Sequence, residues 1–172
     1  MSDTTGSSER SVEREAAADP AVELAAATGF LEGLVQAFGL KGELSVVTGE
    51  DEGRELHVKG SELGLLIGPK GATLDAIQEL TRLAARKAGP ARSDTRLRVD
   101  ISSYREKRRA ALVKFAQGLA EQVKESGVQS ALEPMSSVDR KTVHDALSEV
   151  EGVTTTSEGE EPRRRVLILP GA

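Results

Sequence analysis

Two short groups of residues in this chain have the types and spacing needed to bind phosphate. The first is Gly68-Pro69-Lys70-Gly71, in which two glycines bracket a lysine. Glycine has no Cβ, so a phosphate can approach the main chain closely, and the helix predicted to follow would present free N–H groups to it. Lys70 adds a positive charge at the same point. The loop therefore predicts a contact with a polyanion.

The Gly-x-x-Gly pattern is weak evidence by itself, because 17 glycines in 172 residues produce roughly one or two copies by chance. A second copy is Gly39-Leu40-Lys41-Gly42. It follows a predicted helix and precedes a predicted strand, which indicates a helix C-cap and a turn. The copy at 68–71 lies between two predicted helices, where a basic segment begins. This context favours it as the binding loop.

The same glycines do not form a nucleotide-binding P-loop, whose pattern is Gly-x-x-x-x-Gly-Lys followed by Ser or Thr. Gly64 and Gly68 have three residues between them, and Pro69 follows. We therefore expect no nucleotide hydrolysis from this loop.

The second group is Arg140 and His144, four residues apart on a predicted helix and next to Lys141. At that spacing they share one helix face, so both could reach a single phosphate or neighbouring ones. The alternatives are that His144 is a partly buried imidazole with satisfied hydrogen bonds, and that Arg140 forms a surface ion pair with Glu133 or Asp139. The spacing alone leaves both interpretations open.

The charge distribution supports an anionic ligand despite a net charge of −5. Residues 70–115 hold 12 basic and 5 acidic side chains, whereas residues 1–53 hold 3 basic and 11 acidic ones. A basic segment in an acidic chain is typical of a polyanion site, although a solvated helix face has the same composition. The further arginines predicted to contact nucleic acid are Arg82, Arg86, Arg105 and Arg108.

The composition excludes several other kinds of site. Aromatic residues make up 2% of the chain, which argues against base stacking on an aromatic sheet. The absence of cysteine excludes disulfides, Cys-ligated zinc and iron–sulfur clusters. No apolar run approaches the roughly 18 residues of a membrane span, and no signal peptide is visible. We expect a cytoplasmic protein with no cofactor, metal or membrane insertion.

Catalysis is not predicted either. His57 and His144 are far apart in sequence, and no His, Asp and Glu cluster has metal-ligand spacing. Serine and carboxylate nucleophiles lack an obvious paired base.

The predicted elements that position the loop form one compact set. The apolar stripe on the helix after the loop consists of Leu74, Ile77, Leu80, Thr81, Ala84 and Ala88. In chain order the elements are a helix over about 20–38, strands at 43–48 and 54–59, a short helix before Gly68, a long helix ending at Gly89, and a strand at 96–101.

A second set of elements positions Arg140 and His144. Ser103 and Glu106 predict a capping box that opens a helix to about Gly127. The residues of that helix expected to point inward are Leu112, Phe115, Leu119 and Val123. A strand at 129–134, a helix at about 136–150 opened by Ser136, and a closing strand pair at 153–159 and 163–169 follow. Residues 1–19 are acidic and poor in apolar groups, so they predict a disordered tail before domains at 20–102 and 103–170.

The order of the first domain, with Gly68-Pro69-Lys70-Gly71 between its two later helices, resembles a type II KH domain. The resemblance implies an α+β fold, α-β-β-α-α-β, whose glycine loop clamps the backbone of about four unpaired nucleotides. It also implies an aliphatic groove for the bases. The residues that could line that groove are Leu66, Ile67, Ala72, Ile77 and Val58.

The second domain resembles a small α/β R-x3-H domain, which binds single-stranded nucleic acid. The ordered motifs that carry this resemblance are Tyr104-Arg105, Leu132-Glu133-Pro134-Met135, Arg140 to His144, Val153 to Glu160 and Arg163 to Ile168. A KH domain followed directly by this domain is the arrangement of the bacterial Jag family, also called SpoIIIJ-associated proteins. Family members often carry a separate N-terminal Jag domain, and an acidic segment is expected in its place here.

Membership of the Jag family would imply a non-catalytic protein that binds single-stranded RNA. It would also imply a role in post-transcriptional control or as an RNA chaperone, linked to cell elongation or division. A small KH-only protein would be its partner. Two alternatives remain open from the residues. The chain could bind single-stranded DNA, because neither motif senses a 2′-hydroxyl, or it could be a protein adaptor associated with the membrane insertase.

Overall fold

A computed structural model describes residues 20–48, 53–89 and 96–171. The chain divides into two compact units, of which the first ends at Ser102 and the second begins at Ser103. The predicted acidic tail at 1–19 and most of the turn between the first two strands lie outside the described residues.

The first unit has the element order predicted for a type II KH domain. A 3-10 turn over Pro69–Gly71 separates its second and third helices. Its elements are α1 (Pro20–Ala37), β1 (Gly42–Thr48), β2 (Arg54–Gly60), α2 (Gly64–Ile67), α3 (Ala72–Ala88) and β3 (Leu97–Ile101).

The three strands form one sheet in the order β1-β2-β3. β1 runs antiparallel to β2, and β2 runs parallel to β3 with Leu56 opposite Val99. Alternate residues of β2 and β3 are buried, as the period of a half-buried strand requires. Leu31 of α1 and Leu74 of α3 are also fully buried, so these helices supply the rest of the core.

The predicted apolar stripe of α3 is correct in part. Leu74, Ile77 and Thr81 are buried, but Leu80 is 48% exposed and Ala88 is exposed too. Leu80 precedes the buried Thr81 by one residue, which turns it about 100° away around the helix axis. The polar Gln78 takes a core position in its place.

The second unit is a smaller α/β fold. Its sheet has the order β4-β6-β5, so the last strand is central and antiparallel to both neighbours. Its core includes Ala116, Val143 and Ile168, which are each 0% exposed. Its elements are α4 (Tyr104–Ser126), β4 (Ser130–Ala131), α5 (Ser137–Leu147), β5 (Val153–Glu158) and β6 (Arg165–Pro170).

Two details of the predicted α4 are wrong. Phe115 is 57% exposed rather than buried, whereas Ala116 lies in the core of the unit and Leu112 is buried at 6% exposure. The one-residue offset from Ala116 again turns the side chain by about 100°. Ser103 forms no capping box, because its main chain is left-handed, with φ of 55°, and its side chain makes no cap hydrogen bond. The C-terminus is as predicted, with Gly127 left-handed at φ of 68°.

The segment predicted as a strand at 129–134 contains only the two-residue β4. Main-chain bonds to β6 continue beyond it from Leu132 N to Val166 O, but Pro134 has no N–H to extend the ladder. The predicted N-cap of α5 is confirmed, because Ser136 Oγ accepts from Asp139 N at 3.2 Å. The closing strand pair is also confirmed, but its second strand begins at Arg165 rather than at position 163.

Candidate nucleic-acid interface

The loop at 68–71 has a main-chain shape that glycine favours. Gly68 and Gly71 have φ of 69° and 85°, and Lys70 between them has φ of 54°. A non-glycine residue with positive φ is uncommon, so the surrounding structure must hold Lys70 in this conformation. Pro69 and Lys70 are exposed, while Gly71 is buried. The loop therefore presents its two central residues to solvent at the start of α3.

Most of the main-chain N–H groups of this loop already have acceptors. Gly68 N donates to Gly64 O at 2.9 Å, Gly71 N donates to Gly68 O at 3.2 Å, and Ala72 N donates to Pro69 O. Proline has no N–H. The expectation that the loop offers a set of free amides is thus wrong for these residues. The loop instead exposes Pro69 and the positively charged Lys70.

The first glycine is required by packing as well as by conformation. A Cβ built on Gly68 would collide with Thr73 Oγ1 and would lie 2.8 Å from Thr73 Cβ. Thr73 belongs to the first turn of α3, so the loop folds back closely onto the helix that it precedes. No side chain fits at position 68 without movement of that turn.

The residues predicted to line a base groove divide into two groups. Leu66, Ile77 and Val58 are at most 4% exposed and belong to the core. Ile67 is half-buried and Ala72 is exposed. The most exposed aliphatic side chain of α2 is Leu65, at 65%, which the sequence analysis missed. Neighbouring residues of a helix are about 100° apart, and α2 has a single turn, so no periodic signal could show which leucine is exposed.

Two predicted cations lie along α3 rather than at the loop. Arg82 and Arg86 begin about 15 Å and about 21 Å along the helix axis from Ala72. Arg82 Nε donates to Leu97 O at 3.2 Å, and its Nη1 pairs with Glu79 at 2.8 Å. Arg86 is exposed. The structure therefore does not bring these arginines into the loop itself.

In the second unit Arg140 is nearly enclosed, at 8% exposure. Its Nη1 donates to Met135 O at 2.9 Å, and its Nη2 donates to Glu161 Oε1 at 2.6 Å. The expected alternative partners, Glu133 and Asp139, are not the ones that it uses in these bonds. Glu161 lies in the connection between β5 and β6, so the residue spacing within the helix could not predict this ion pair.

His144 is half-buried and bridges two hydroxyl groups of β5. Its Nδ1 lies 2.7 Å from Thr155 Oγ1, and its Nε2 lies 2.8 Å from Ser157 Oγ. Thr155 and Ser157 are two residues apart, so they lie on the same face of the strand. The geometry agrees with the satisfied, partly buried imidazole considered above. The predicted phosphate contact of His144 stays a prediction.

The remaining predicted cations surround the N-terminal part of α5. Arg108 Nη2 pairs with Asp139 at 3.2 Å, which ties α4 to α5. Arg105, one turn before Arg108, is exposed, and Lys141 is exposed and paired with Asp145. These side chains share one region of the second unit.

Arg163 and Arg164 belong to the same region, although sequence reasoning did not select them. Both are exposed, and neither has an ion pair with a described residue. Arg164 O accepts from Met135 N at 3.1 Å, so the β5–β6 connection lies beside the start of α5. The run of three arginines was the available signal, but it was interpreted only as part of the closing strand and of the motifs of the R-x3-H domain.

Neither a metal centre nor a membrane span is found in the part of the chain that the structure describes. Among those residues no group of His, Cys, Asp and Glu side chains could hold a metal ion, and no helix is long and apolar enough to cross a bilayer.

Comparison with known proteins assigns both units. Residues 28–101 match the family model described as KhpA/KhpB, KH domain, and residues 110–170 match the model of the R-x3-H domain. An RNA-binding protein KhpB of Clostridium symbiosum is 37% identical over 92% of this chain and 68% of its own length. The protein of the same name from Lactiplantibacillus plantarum is 35% identical over 90% of this chain and 47% of its own length. The one from Bacillus subtilis is 36% identical over 81% of this chain and 66% of its own length.

The KH domain, the R-x3-H domain and their order are those expected from the resemblance of the sequence. The identity to the clostridial relative extends across both of them. The chain therefore belongs to the Jag family, whose curated relatives are named RNA-binding protein KhpB.

Proposed function

We propose that this chain is a non-catalytic protein that binds single-stranded RNA. The observation that carries the proposal is the loop at 68–71, which exposes Pro69 and Lys70 between two glycines with positive φ. Type II KH domains use such a loop against the sugar–phosphate backbone of unpaired nucleotides. The name of the curated relatives supports RNA as the polymer.

The proposed RNA contacts lie in each unit separately, at the loop of the first and in the cationic region of the second. They comprise Ile67, Gly68, Pro69, Lys70, Gly71, Arg82, Arg86, Arg105, Arg108, Arg140, Lys141 and His144. Cations that face a flexible polyanion release bound counterions, so the affinity should fall steeply as salt is added.

The direct test changes Pro69 and Lys70 to aspartate. Two added carboxylates repel the phosphates that the loop would contact, and aspartate tolerates the left-handed conformation of position 70 better than most residues. We expect at least about a tenfold loss of affinity for a single-stranded RNA oligonucleotide, measured by fluorescence anisotropy. An unchanged affinity in a folded variant contradicts the assignment of the loop.

The second Gly-x-x-Gly copy supplies the matched control. Lys41 is exposed and stands at the same place in its motif as Lys70, but that motif ends α1: Gly39 is left-handed at φ of 67°, and Leu40 N donates to Val35 O at 3.1 Å. Lys41→Asp and Lys70→Asp change the net charge equally. Only Lys70→Asp should weaken RNA binding strongly.

The same assay separates RNA from the alternatives. The affinities for RNA and DNA oligonucleotides of identical sequence show which polymer the chain prefers. Tighter binding to DNA would contradict the proposal. Failure to bind either polymer at low salt would favour a protein adaptor associated with the membrane insertase. Nucleotide hydrolysis that a point change in the loop abolishes would contradict a non-catalytic role.

In the cell we propose a cytoplasmic role in post-transcriptional regulation or RNA chaperoning, linked to cell elongation or division. Crosslinking in cells, followed by sequencing of the attached RNA, tests this. We expect transcripts for elongation and division proteins to be enriched among the RNA crosslinked to the wild-type chain. This enrichment should be lost when Pro69 and Lys70 are both changed to aspartate.

A small KH-only protein is the proposed protein partner, since the matched family model names two proteins with the same KH domain. The candidate surface is the outer side of α3, where Leu80 and Leu83 are 48% and 52% exposed. Leu80→Asp with Leu83→Asp should abolish co-elution of the two proteins in size-exclusion chromatography and leave the unfolding midpoint of the chain alone unchanged. Co-elution that survives the double change would contradict this surface.

A further inference from the structure

We propose that Arg140 of the R-x3-H pair is a positioning residue, and that Arg163 and Arg164 of the β5–β6 connection make the phosphate contacts. The inference rests on the proposed RNA binding and refines the roles within its second unit. It follows from where the guanidinium of Arg140 lies and from what that guanidinium holds.

The guanidinium of Arg140 is poorly accessible to a ligand. Its side chain is 10% exposed, and two of its nitrogens already donate, one to the carbonyl of Met135 and one to the carboxylate of Glu161. A phosphate that approached the Nη2 bonded to Glu161 would have to displace that carboxylate. That exchange replaces one charge-assisted hydrogen bond with another and gains little.

The two acceptors of Arg140 belong to different segments. Met135 precedes the N-cap of α5, whereas Glu161 lies in the connection between β5 and β6. The same two segments are joined again by the hydrogen bond from Met135 N to Arg164 O at 3.1 Å. Arg140 therefore fixes residues 160–164 against the start of α5.

The fixed connection carries the two cations that are available to a ligand. Arg163 and Arg164 are exposed, and they have no ion pair with any described residue. Arginine binds phosphate in a bidentate manner, so two neighbouring guanidinium groups on a held main chain suit adjacent phosphates of one strand. His144 supports the same arrangement, because it holds Thr155 and Ser157 of the strand that leads into the connection.

The discriminating experiment removes the carboxylate that Arg140 holds. Glu160 and Glu161 are adjacent and exposed, so Glu160→Ala and Glu161→Ala remove the same charge from the same connection, but only Glu161 bonds to Arg140. If Arg140 positions the connection, Glu161→Ala should bind a single-stranded RNA oligonucleotide about fivefold more weakly than Glu160→Ala does. If Arg140 contacts phosphate in competition with Glu161, Glu161→Ala should bind more tightly. Equal or tighter binding overturns the proposal.

A conservative substitution of Glu161 tests whether weaker binding reflects the lost bond to Arg140 or a general loss of structure. Glu161→Gln keeps an oxygen that can accept from Arg140, so we expect its affinity to lie within about twofold of that of Glu160→Gln. A gain in affinity with Glu161→Gln would indicate release of Arg140 to the ligand and would also overturn the positioning role.

The proposed phosphate contacts of Arg163 and Arg164 are tested by the salt dependence of the affinity for RNA. Arg163→Gln with Arg164→Gln should reduce the slope of log affinity against log salt by about 1.4, since each phosphate contact to a single strand contributes about 0.7. The matched control is Lys114→Gln with Lys124→Gln, which removes the same charge from α4 of the same unit. A slope that falls no further than in the control contradicts the contacts.

These comparisons remain distinct from the test of the proposed function. If the wild-type chain binds no RNA, the proposed function itself is wrong. If the wild-type chain binds and these variants behave like their controls, only the assignment of roles in the second unit is wrong.

Discussion

The main-chain N–H of Val99 in β3 donates to Oε1 of Gln78 in α3 at 2.7 Å. The same amide group donates through Nε2 to Leu97 O at 2.8 Å. Gln78 is 7% exposed. One side chain thus satisfies a donor and an acceptor on the outer edge of β3, in the way that a neighbouring strand would.

Replacing Gln78 by methionine should therefore destabilise the first unit. The change keeps most of the volume but leaves Val99 N without an acceptor, whereas Leu97 O keeps Arg82 Nε as a donor. One unsatisfied buried group costs about 1–3 kcal/mol, so we expect the free energy of unfolding in urea to fall by about that amount. Gln36→Met, the same change at an exposed position of α1, should stay within about 0.5 kcal/mol of the wild type.

Gly68→Ala should deform the loop through both space and conformation. Its Cβ would collide with Thr73 Oγ1, and alanine disfavours the φ of 69° at this position. We expect a stability loss of about 1–3 kcal/mol together with weaker RNA binding. Gly64→Ala in α2 is the control, because an added Cβ there meets nothing within 4 Å. Equal effects of the two substitutions would contradict this account.

The inward face of α4 can be checked with two large side chains three residues apart. Leu112 is 6% exposed and Phe115 is 57% exposed. Leu112→Ala should cost about 2–4 kcal/mol through lost burial and a cavity, whereas Phe115→Ala should cost less than about 1 kcal/mol. Chemical denaturation of both variants measures the difference. A larger cost at Phe115 would show that the face of α4 is misassigned.

Thr155→Val tests whether His144 is held by β5. Valine has nearly the shape of threonine and high strand propensity, but it removes the hydroxyl 2.7 Å from His144 Nδ1. We expect a loss of about 1–2 kcal/mol in the free energy of unfolding. Thr154→Val, on the exposed opposite side of the same strand, should be neutral or slightly stabilising. Identical values for both would mean that the bridge contributes nothing.

Much of the site was predictable because its signals are local. The loop at 68–71 follows from two glycines and the helices around them, and the C-cap at Gly39 follows from the same rules. The N-cap of α5 follows from Ser136 and the residues after it. Within long helices the period locates the apolar face, but it placed Leu80 and Phe115 inside although each is about half exposed, since one residue rotates a side chain by about 100°.

The sequence by itself determined most of the element order and the residue types of both candidate sites, because helix caps, turns and apolar periods depend on neighbours a few residues apart. Its resemblance to known families indicated the two folds and their order. Only the tertiary structure decided which of those residues face a ligand. Arg140 and Glu161 are 21 residues apart and meet because β5 and the chain after it return beside α5.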